Sequence, residues 1–299
     1  MSLFNSLVVK ILPVIPKSVV GMVARRYIAG EHLDDAIRVV KDLNSHGFMA
    51  TMDVLGEGVR TEEEVLSMRK QCEAVLHAID EHKLDANLSI KPTQMGLAMD
   101  EDLCYRNMTV LLDIAKSYDN FVRMDMEDHT VTDSTLSVYR RLRESYDNVG
   151  VVFQAYLKRT EEDIRKLAPL RPNVRLCKGI YNEPPEIAFK DREEIRESFR
   201  RNLHLLFELN LYVGIATHDS DLVTSAYEMI SDFDLKKTDY EFQMLLGVRE
   251  DLREQILGKG HRLRVYVPYG THWYEYSVRR LKENPRMAGH IAKAFFTGK

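Results

Sequence analysis

The sequence predicts an α/β fold of the (β/α)8 TIM-barrel class. Short apolar runs of β type alternate with longer amphipathic patterns along the chain, and eight such runs can be counted. Several runs are apolar at nearly every position, as in Val149, Val151, Val152 and Phe153, or Val213, Ile215 and Ala216. Strands buried on both faces, as in a parallel sheet covered by helices, read in this way. Eight strand–helix units favour a closed barrel over an open doubly wound sheet, which stays the alternative on this count.

In chain order, the segment from Leu3 to Val23 is apolar but broken by Lys10, Pro13, Pro16 and Lys17. It is too interrupted to span a bilayer, and it lacks the uninterrupted apolar run and small-residue cleavage site of a signal peptide. It reads as a short helical arm over residues 1–30, with an interfacial membrane contact as the second reading. Residues 31–299 read as one barrel domain, since no Pro/Gly/Ser-rich linker divides them. Strands are expected at Phe48–Leu55, Ala86–Lys91, Phe121–Met126, Val149–Gln154, Val174–Lys178, Tyr212–Thr217, Tyr240–Leu245 and Leu263–Val267. Between them, apolar spacings of three and four predict helices such as Thr61–His82, Asp102–Tyr118, Thr132–Tyr146 and Glu193–Leu209. Thr61, Thr132 and Thr160 are expected N-caps, with Glu64 and Asp163 three residues after two of them.

Composition limits the function classes. A chain of 299 residues that is 44% apolar and 29% charged is neither disordered nor fibrous. With 42 Lys and Arg against 46 Asp and Glu, the net charge of −4 gives no surplus cation for nucleic acid or an anionic membrane. Cys72, Cys104 and Cys177 are odd in number and far apart, which fits reduced thiols in a cytoplasm better than disulfides or a zinc site.

A barrel collects its chemistry where strands end. The expected strand ends carry Glu57, Lys91, Asp125, Gln154, Lys178, Thr217 with His218, Gln243 and Tyr266. Lys91, Asp125 and Lys178 each follow directly on apolar strand residues, where an unpaired charge costs several kcal/mol. After the eighth strand, Tyr276, Arg279, Arg280 and Glu283 fall at i, i+3, i+4 and i+7 of a helical pattern, on one face. Two neighbouring guanidiniums make a fork for a carboxylate or a phosphate, although on a generic helix the same spacing is an ordinary solvated ion pair. There is no GxxxxGK[ST], HExxH, GxSxG, CxxC or GxGxxG. His218, His272, Tyr156 and Tyr181 are unremarkable on spacing alone. Spacing and composition therefore reach a barrel enzyme that binds a small anion, with no metal site in view.

Seven blocks carry a resemblance: SIKPTQMGL from Ser89, VRMDMED from Val122, FQAYL from Phe153, RLCKGIY from Arg175, IATHD from Ile215, FQML from Phe242 and YVPYGTHWYEYSVRRLKEN from Tyr266. Together and in this order they resemble the monofunctional bacterial proline dehydrogenases, flavoenzymes built on a distorted (β/α)8 barrel. The resemblance implies that Lys91, Tyr266, Tyr276, Arg279, Arg280 and Glu283 line a proline site. Arg279 and Arg280 would clamp the substrate carboxylate, and Lys91 would pair with Glu283. Asp125 and Arg175 would hold the catalytic positions beside flavin and substrate. Met126, Gln154, Lys178, Gly179, Ile180, Thr217 and His218 match positions that hold FAD across the strand ends, which accounts for the missing GxGxxG. Cys177 and Ile180 depart from the Val and Ala that many relatives carry.

The implied activity is FAD-dependent oxidation of L-proline to 1-pyrroline-5-carboxylate, the first step of proline degradation to glutamate. Electrons would pass to a quinone, and the N-terminal arm is the candidate contact of a cytoplasmic enzyme with the inner membrane. The chain leaves no room for a second, NAD-dependent aldehyde dehydrogenase domain. Hydroxyproline as substrate, and a phosphate-binding barrel lyase using the same fork, are the competing readings.

Overall fold

The computed structural model describes Gly21 and residues 24–56, 58–274 and 276–277. Helix α1 (Leu33–Ser45) leads into β1 (Met49–Val54), α2 (Glu62–Glu81), β2 (Ala86–Ile90), α3 (Glu101–Ser117) and β3 (Val122–Met124). The chain continues through α4 (Thr132–Arg143), β4 (Val149–Gln154), α5 (Thr160–Leu167), β5 (Asn173–Cys177), α6 (Arg192–Glu208) and β6 (Val213–Ala216). It goes on through α7 (Ser220–Asp232), β7 (Tyr240–Leu245), α8 (Glu250–Gly258) and β8 (Leu263–Tyr269). Each strand pairs in parallel with its sequence neighbour, and β8 closes on β1, with Thr51 beside Tyr266. The closed barrel expected from the strand count is observed, and the open sheet is excluded.

Strand alternation sorts the residues. Ala50, Met52, Val54, Leu88, Ile90, Val122, Met124, Val151, Leu176, Ile215, Phe242 and Val265 are almost wholly buried and pack in the core shared with the helices. The alternate positions are also buried but polar: Thr51, Asp53, Asn87, Ser89, Arg123, Arg175, Glu241 and Gln243. These side chains bond across the barrel, as Arg175 does to Ser89 and Gln243, so they fill its interior. Burial on both faces is therefore correct, but the inner face is hydrogen-bonded rather than apolar. Arg123 shows what this demands: fully buried, it is pushed down to about 9 by desolvation and by the charge of Arg175. It is held by the carbonyls of Val151 and Asn173 and by the Asn173 side chain.

The barrel is distorted at one place. Helix α1 precedes β1 and packs against both β1 and β8, the position an eighth ring helix would take. The turn of helix after β8 goes elsewhere: Tyr276 is buried with Ala24, Ile28 and Leu55. The segment before α1 meets it there, with the Ala29 amide donating to the Pro268 carbonyl at 2.9 Å and Gly270 to Gly30 at 3.0 Å. The described end of the predicted arm thus lies at the C-terminal mouth of the barrel.

Local capping follows the sequence once and departs from it twice. Thr61 caps α2, receiving the Glu64 amide, while the Glu64 side chain takes the Thr61 amide in return. Thr132 and Thr160 are not caps; Val131 and Arg159 occupy those positions. The Thr160 hydroxyl donates instead to the Gln154 carbonyl at 2.6 Å, tying α5 to the end of β4. The Asp163 carboxylate is taken by Arg159 rather than by a backbone amide. Cys72 and Cys104 are buried, Cys177 is half-buried, and none of the three forms a disulfide. Among the described residues no helix is long and apolar enough to cross a membrane.

Candidate active site

A cleft of 1090 Å³ opens at the C-terminal mouth of the barrel. Lys91, Asp125, Met126, Gln154, Arg175, Lys178, Gly179, Ile180, Thr217, His218, Tyr266 and Tyr276 all line it. These are all the predicted site residues within the described part of the chain. Arg279, Arg280 and Glu283 lie outside the described residues, as does Glu57.

The floor is built around one carboxylate. Asp125, just past β3, receives the Ser89 hydroxyl at 2.7 Å, Nη1 of Arg175 at 2.6 Å and the Tyr266 hydroxyl at 2.8 Å. Charge-assisted bonds of this length are the stronger class of hydrogen bond. The Arg175 guanidinium also lies 5.2 Å from the centre of the Tyr266 ring. Burial, and then the Asp125 charge, raise the Tyr266 phenol well above its ordinary value, so it stays a neutral donor. Gln243 takes the Arg175 Nε–H. The remaining nitrogen of the guanidinium, Nη2, is buried with no hydrogen-bond partner among the described residues.

Beside it, Nζ of Lys91 donates to both oxygens of Asp53 at 3.2 Å. Both groups are nearly inaccessible, at 7% and 0% side-chain exposure. Burial works against the ammonium, but the charges of Asp53, Asp125 and Glu127 hold it cationic. Burial and Asp125 push the Asp53 carboxyl up, with Lys91 opposing them. Gln94 fastens this wall, donating to the Val54 carbonyl at 2.8 Å and accepting the Lys91 amide at 3.1 Å.

The outer wall is cationic. Lys178 and Arg196 both bond Asp219, and Arg192 lies 3.7 Å from the same carboxylate. Burial of Asp219 is outweighed by the Arg196 and Lys178 bonds, which hold the carboxyl far below its usual range. Asp219 also caps α7 through the Asp221 amide. Stability from a depressed carboxyl is complete above pH about 4 and is lost as the pH falls through its folded pKa. Asp219→Asn is therefore expected to lower the unfolding free energy measured in urea at pH 7 by about 1.5–3 kcal/mol, the scale of hydrogen bonds to charged groups. The gap to wild type should narrow as the pH is taken below 4. A gap that stays constant with pH would show that the carboxylate charge is not what holds this wall.

His218 presents Nε2 to the Leu245 amide, which donates at 2.8 Å, so that ring nitrogen carries no proton. Gln154 donates to the Glu127 carbonyl at 2.8 Å. Gly179 has φ +104°, and a Cβ there would meet the Tyr156 ring at 2.2 Å, so both conformation and space require glycine. Asp53, Ser89, Arg196 and Asp219 are site residues the sequence reading did not single out as such. For Asp53 and Ser89 the signal was a polar residue at every second position of an otherwise apolar strand, whereas Arg196 lies on α6 and Asp219 caps α7, where that alternation gives none.

The cleft fits a cofactor far larger than an amino acid. Its volume is at the upper end of pockets that bury drug-sized ligands. Its lining combines the apolar Met126 and Val152 with Arg175, whose buried Nη2 has no partner among the described residues, and with the cations Lys178, Arg192, Arg196 and Arg249. A flat, partly apolar ring system carrying a diphosphate matches that combination of surfaces.

Known proteins bear on this geometry. The profile of the family described as proline dehydrogenase matches residues 36–293. The chain is 39% identical over 270 residues to proline dehydrogenase 1 of Bacillus subtilis, covering 90% of this chain and 89% of that protein. It is 34% identical over 280 residues to a proline dehydrogenase of Deinococcus radiodurans, covering 92% and 90%. In fold it resembles proline utilization A of Bdellovibrio bacteriovorus inactivated by N-propargylglycine, with a TM-score of 0.85 at 23% identity. That match covers 94% of this chain and 36% of the longer one.

Proposed function

Because the chain belongs to the proline dehydrogenase family, we propose that it oxidises L-proline to 1-pyrroline-5-carboxylate with FAD held across the strand ends of the cleft. The observation that carries this reading is the convergence on one cleft of residues from separate blocks of the sequence. Met126, Gln154, Lys178, Gly179, Ile180, Thr217 and His218 would hold the cofactor, and the cations of the outer wall would balance the charge of its diphosphate. Bound FAD would supply the acceptor for the hydride, which carries the electron pair, from the ring carbon next to the proline nitrogen, while the amine gives up a proton.

The protein's part is position and field. Arg279 and Arg280 clamp the substrate carboxylate on the strength of the family pattern, with Glu283 orienting them. Tyr276 and Tyr266 pack the ring. Tyr266 stays a phenol donating to Asp125, so it is not the base that takes the amine proton near neutral pH. Lys91, held cationic, is not that base either, and adds positive charge beneath the carboxylate. Arg175 lines the cleft, with its Nη2 buried and without a partner among the described residues, and its cation stabilises negative charge gathered there. The fixed Tyr266 ring favours proline over 4-hydroxyproline, because an added hydroxyl would crowd it. Family resemblance supports a quinone as the acceptor that reoxidises the cofactor, and the arm as its contact with the inner membrane.

The test is optical. The purified protein should be yellow with flavin absorption, and L-proline added without oxygen should bleach it. A protein that cannot take up FAD, or that stays oxidised with excess proline, overturns the reading. A colourless protein that binds phosphate instead would favour the lyase.

A further inference from the structure

Strand β7 carries two buried polar side chains at alternate positions, Glu241 and Gln243, which therefore point into the barrel together. The Gln243 Nε2 donates to a Glu241 oxygen at 2.6 Å, and its Oε1 accepts the Arg175 Nε–H. A carboxylate can only accept and a guanidinium can only donate, so the amide between them has a single permitted orientation. Glu241 is itself held by Arg264, through Nε at 2.7 Å and Nη2 at 3.1 Å. Although completely buried, its carboxyl is lowered to about 2 by Arg264 and by bonds from Tyr212 and Gln243, so it is an anion at every working pH. Arg264 continues to the Ala50 carbonyl at 2.8 Å and to Asn87, which Thr51 also bonds. Gly214 on β6 leaves the space for this chain: a Cβ there would lie 2.4 Å from the Gln243 amide nitrogen.

We propose that Glu241 and Gln243 are positioning residues for Arg175: the Glu241 anion sets the polarity of the Gln243 amide, which sets the plane and direction of the guanidinium at the cleft. Two bonds, from Nε to Gln243 and from Nη1 to Asp125, fix the plane of a rigid fork, so the guanidinium cannot rotate away from the position it holds at the cleft. The proposal rests on the FAD-dependent reading above for what Arg175 faces. It is independent of the carboxylate clamp, which belongs to other residues.

The experiment uses the FAD-loaded protein and the variants Gln243→Met and Glu241→Gln. Gln243→Met keeps the volume and removes both bonds. Glu241→Gln removes the anion that holds the Gln243 amide nitrogen, so only Arg175 is left to orient that amide. Flavin reduction by saturating proline, expressed per bound FAD, should fall about 10- to 100-fold, the scale of small misplacements of a catalytic group. The KM for proline should stay within about threefold, since the clamp is untouched. Without proline, the midpoint potential of the bound FAD should become more negative, because a cation that stabilises the reduced form is no longer held against it. A variant that does not retain FAD is replaced by Gln243→Glu, which keeps an acceptor for Arg175 but repels Glu241. Wild-type potential and wild-type reduction rate per FAD in the recovered variants overturn the proposal, as does a change confined to KM. A wild-type protein that binds FAD but is not reduced by proline overturns the function instead, and the potentials still decide the positioning role.

Discussion

Replacing Arg175 by Met is expected to lower the rate of anaerobic flavin reduction by proline by about 10²–10³-fold, the usual loss when one preorganised donor is removed from a reacting centre. Arg175 sits at the junction of the site. It bonds Asp125 at 2.6 Å and Gln243, and its Nη2 is buried without a partner among the described residues. A buried donor left unmatched carries a desolvation cost of about 1–3 kcal/mol. Persistence of such a group in a cleft is expected where a ligand completes it. Removal also leaves the Ser89 and Tyr266 hydroxyls as the side-chain hydrogen bonds to Asp125 among the described residues, with the Lys91 ammonium as the remaining nearby cation. Met keeps most of the volume, so FAD content measured by absorbance should change far less than the rate. Stopped-flow reduction at saturating proline reads the effect, and a rate within threefold of wild type would show that Arg175 has no part in the chemistry.

Lys91→Met should be the most destabilising single change in the site. It strands Asp53, whose side chain has no exposure, and breaking a buried pair by removing one partner costs about 3–5 kcal/mol. The pH dependence has a definite sign. The Asp53 carboxyl is already raised by burial and by Asp125, and loss of the opposing Lys91 raises it further. The folded variant then holds a proton that the unfolded chain releases above pH about 4, so its stability falls as the pH rises toward that raised value. Urea unfolding should therefore show a larger deficit at pH 8 than at pH 5. Adding Asp53→Asn to the variant should recover part of the loss at pH 8, because nothing is then left to ionise. Equal midpoints for Lys91→Met and wild type at pH 8 would refute the pairing as a stabilising element.

Much of the architecture was legible in the chain itself. Val149–Gln154 and Tyr240–Leu245 were read to the residue, and the other strands to within a few positions. Strand and helix periods are local properties, and eight of them in alternation leave few ways to bury both faces of every strand. The seven sequence blocks also named most of the cleft, because the residues that face a ligand at strand ends are adjacent to strands that can be counted.

What the chain could not disclose is who meets whom across the barrel. Lys91 and Asp53 are 38 positions apart, Arg175 and Gln243 are 68 apart, and Arg175 and Ser89 are 86 apart. Lys91 meets Asp53 through the pairing of adjacent β1 and β2, whereas Arg175 on β5 reaches Ser89 on β2 because the closed sheet turns inward residues of distant strands toward each other. Thr160 shows a smaller version: its capping pattern was present, but the turn between β4 and α5 brings its hydroxyl to the Gln154 carbonyl six residues back. Local sequence thus decided the order and period of the elements. Strand pairing and the closing of the sheet decided which buried charges neutralise one another, because in a dry interior each must find a partner wherever the fold brings one.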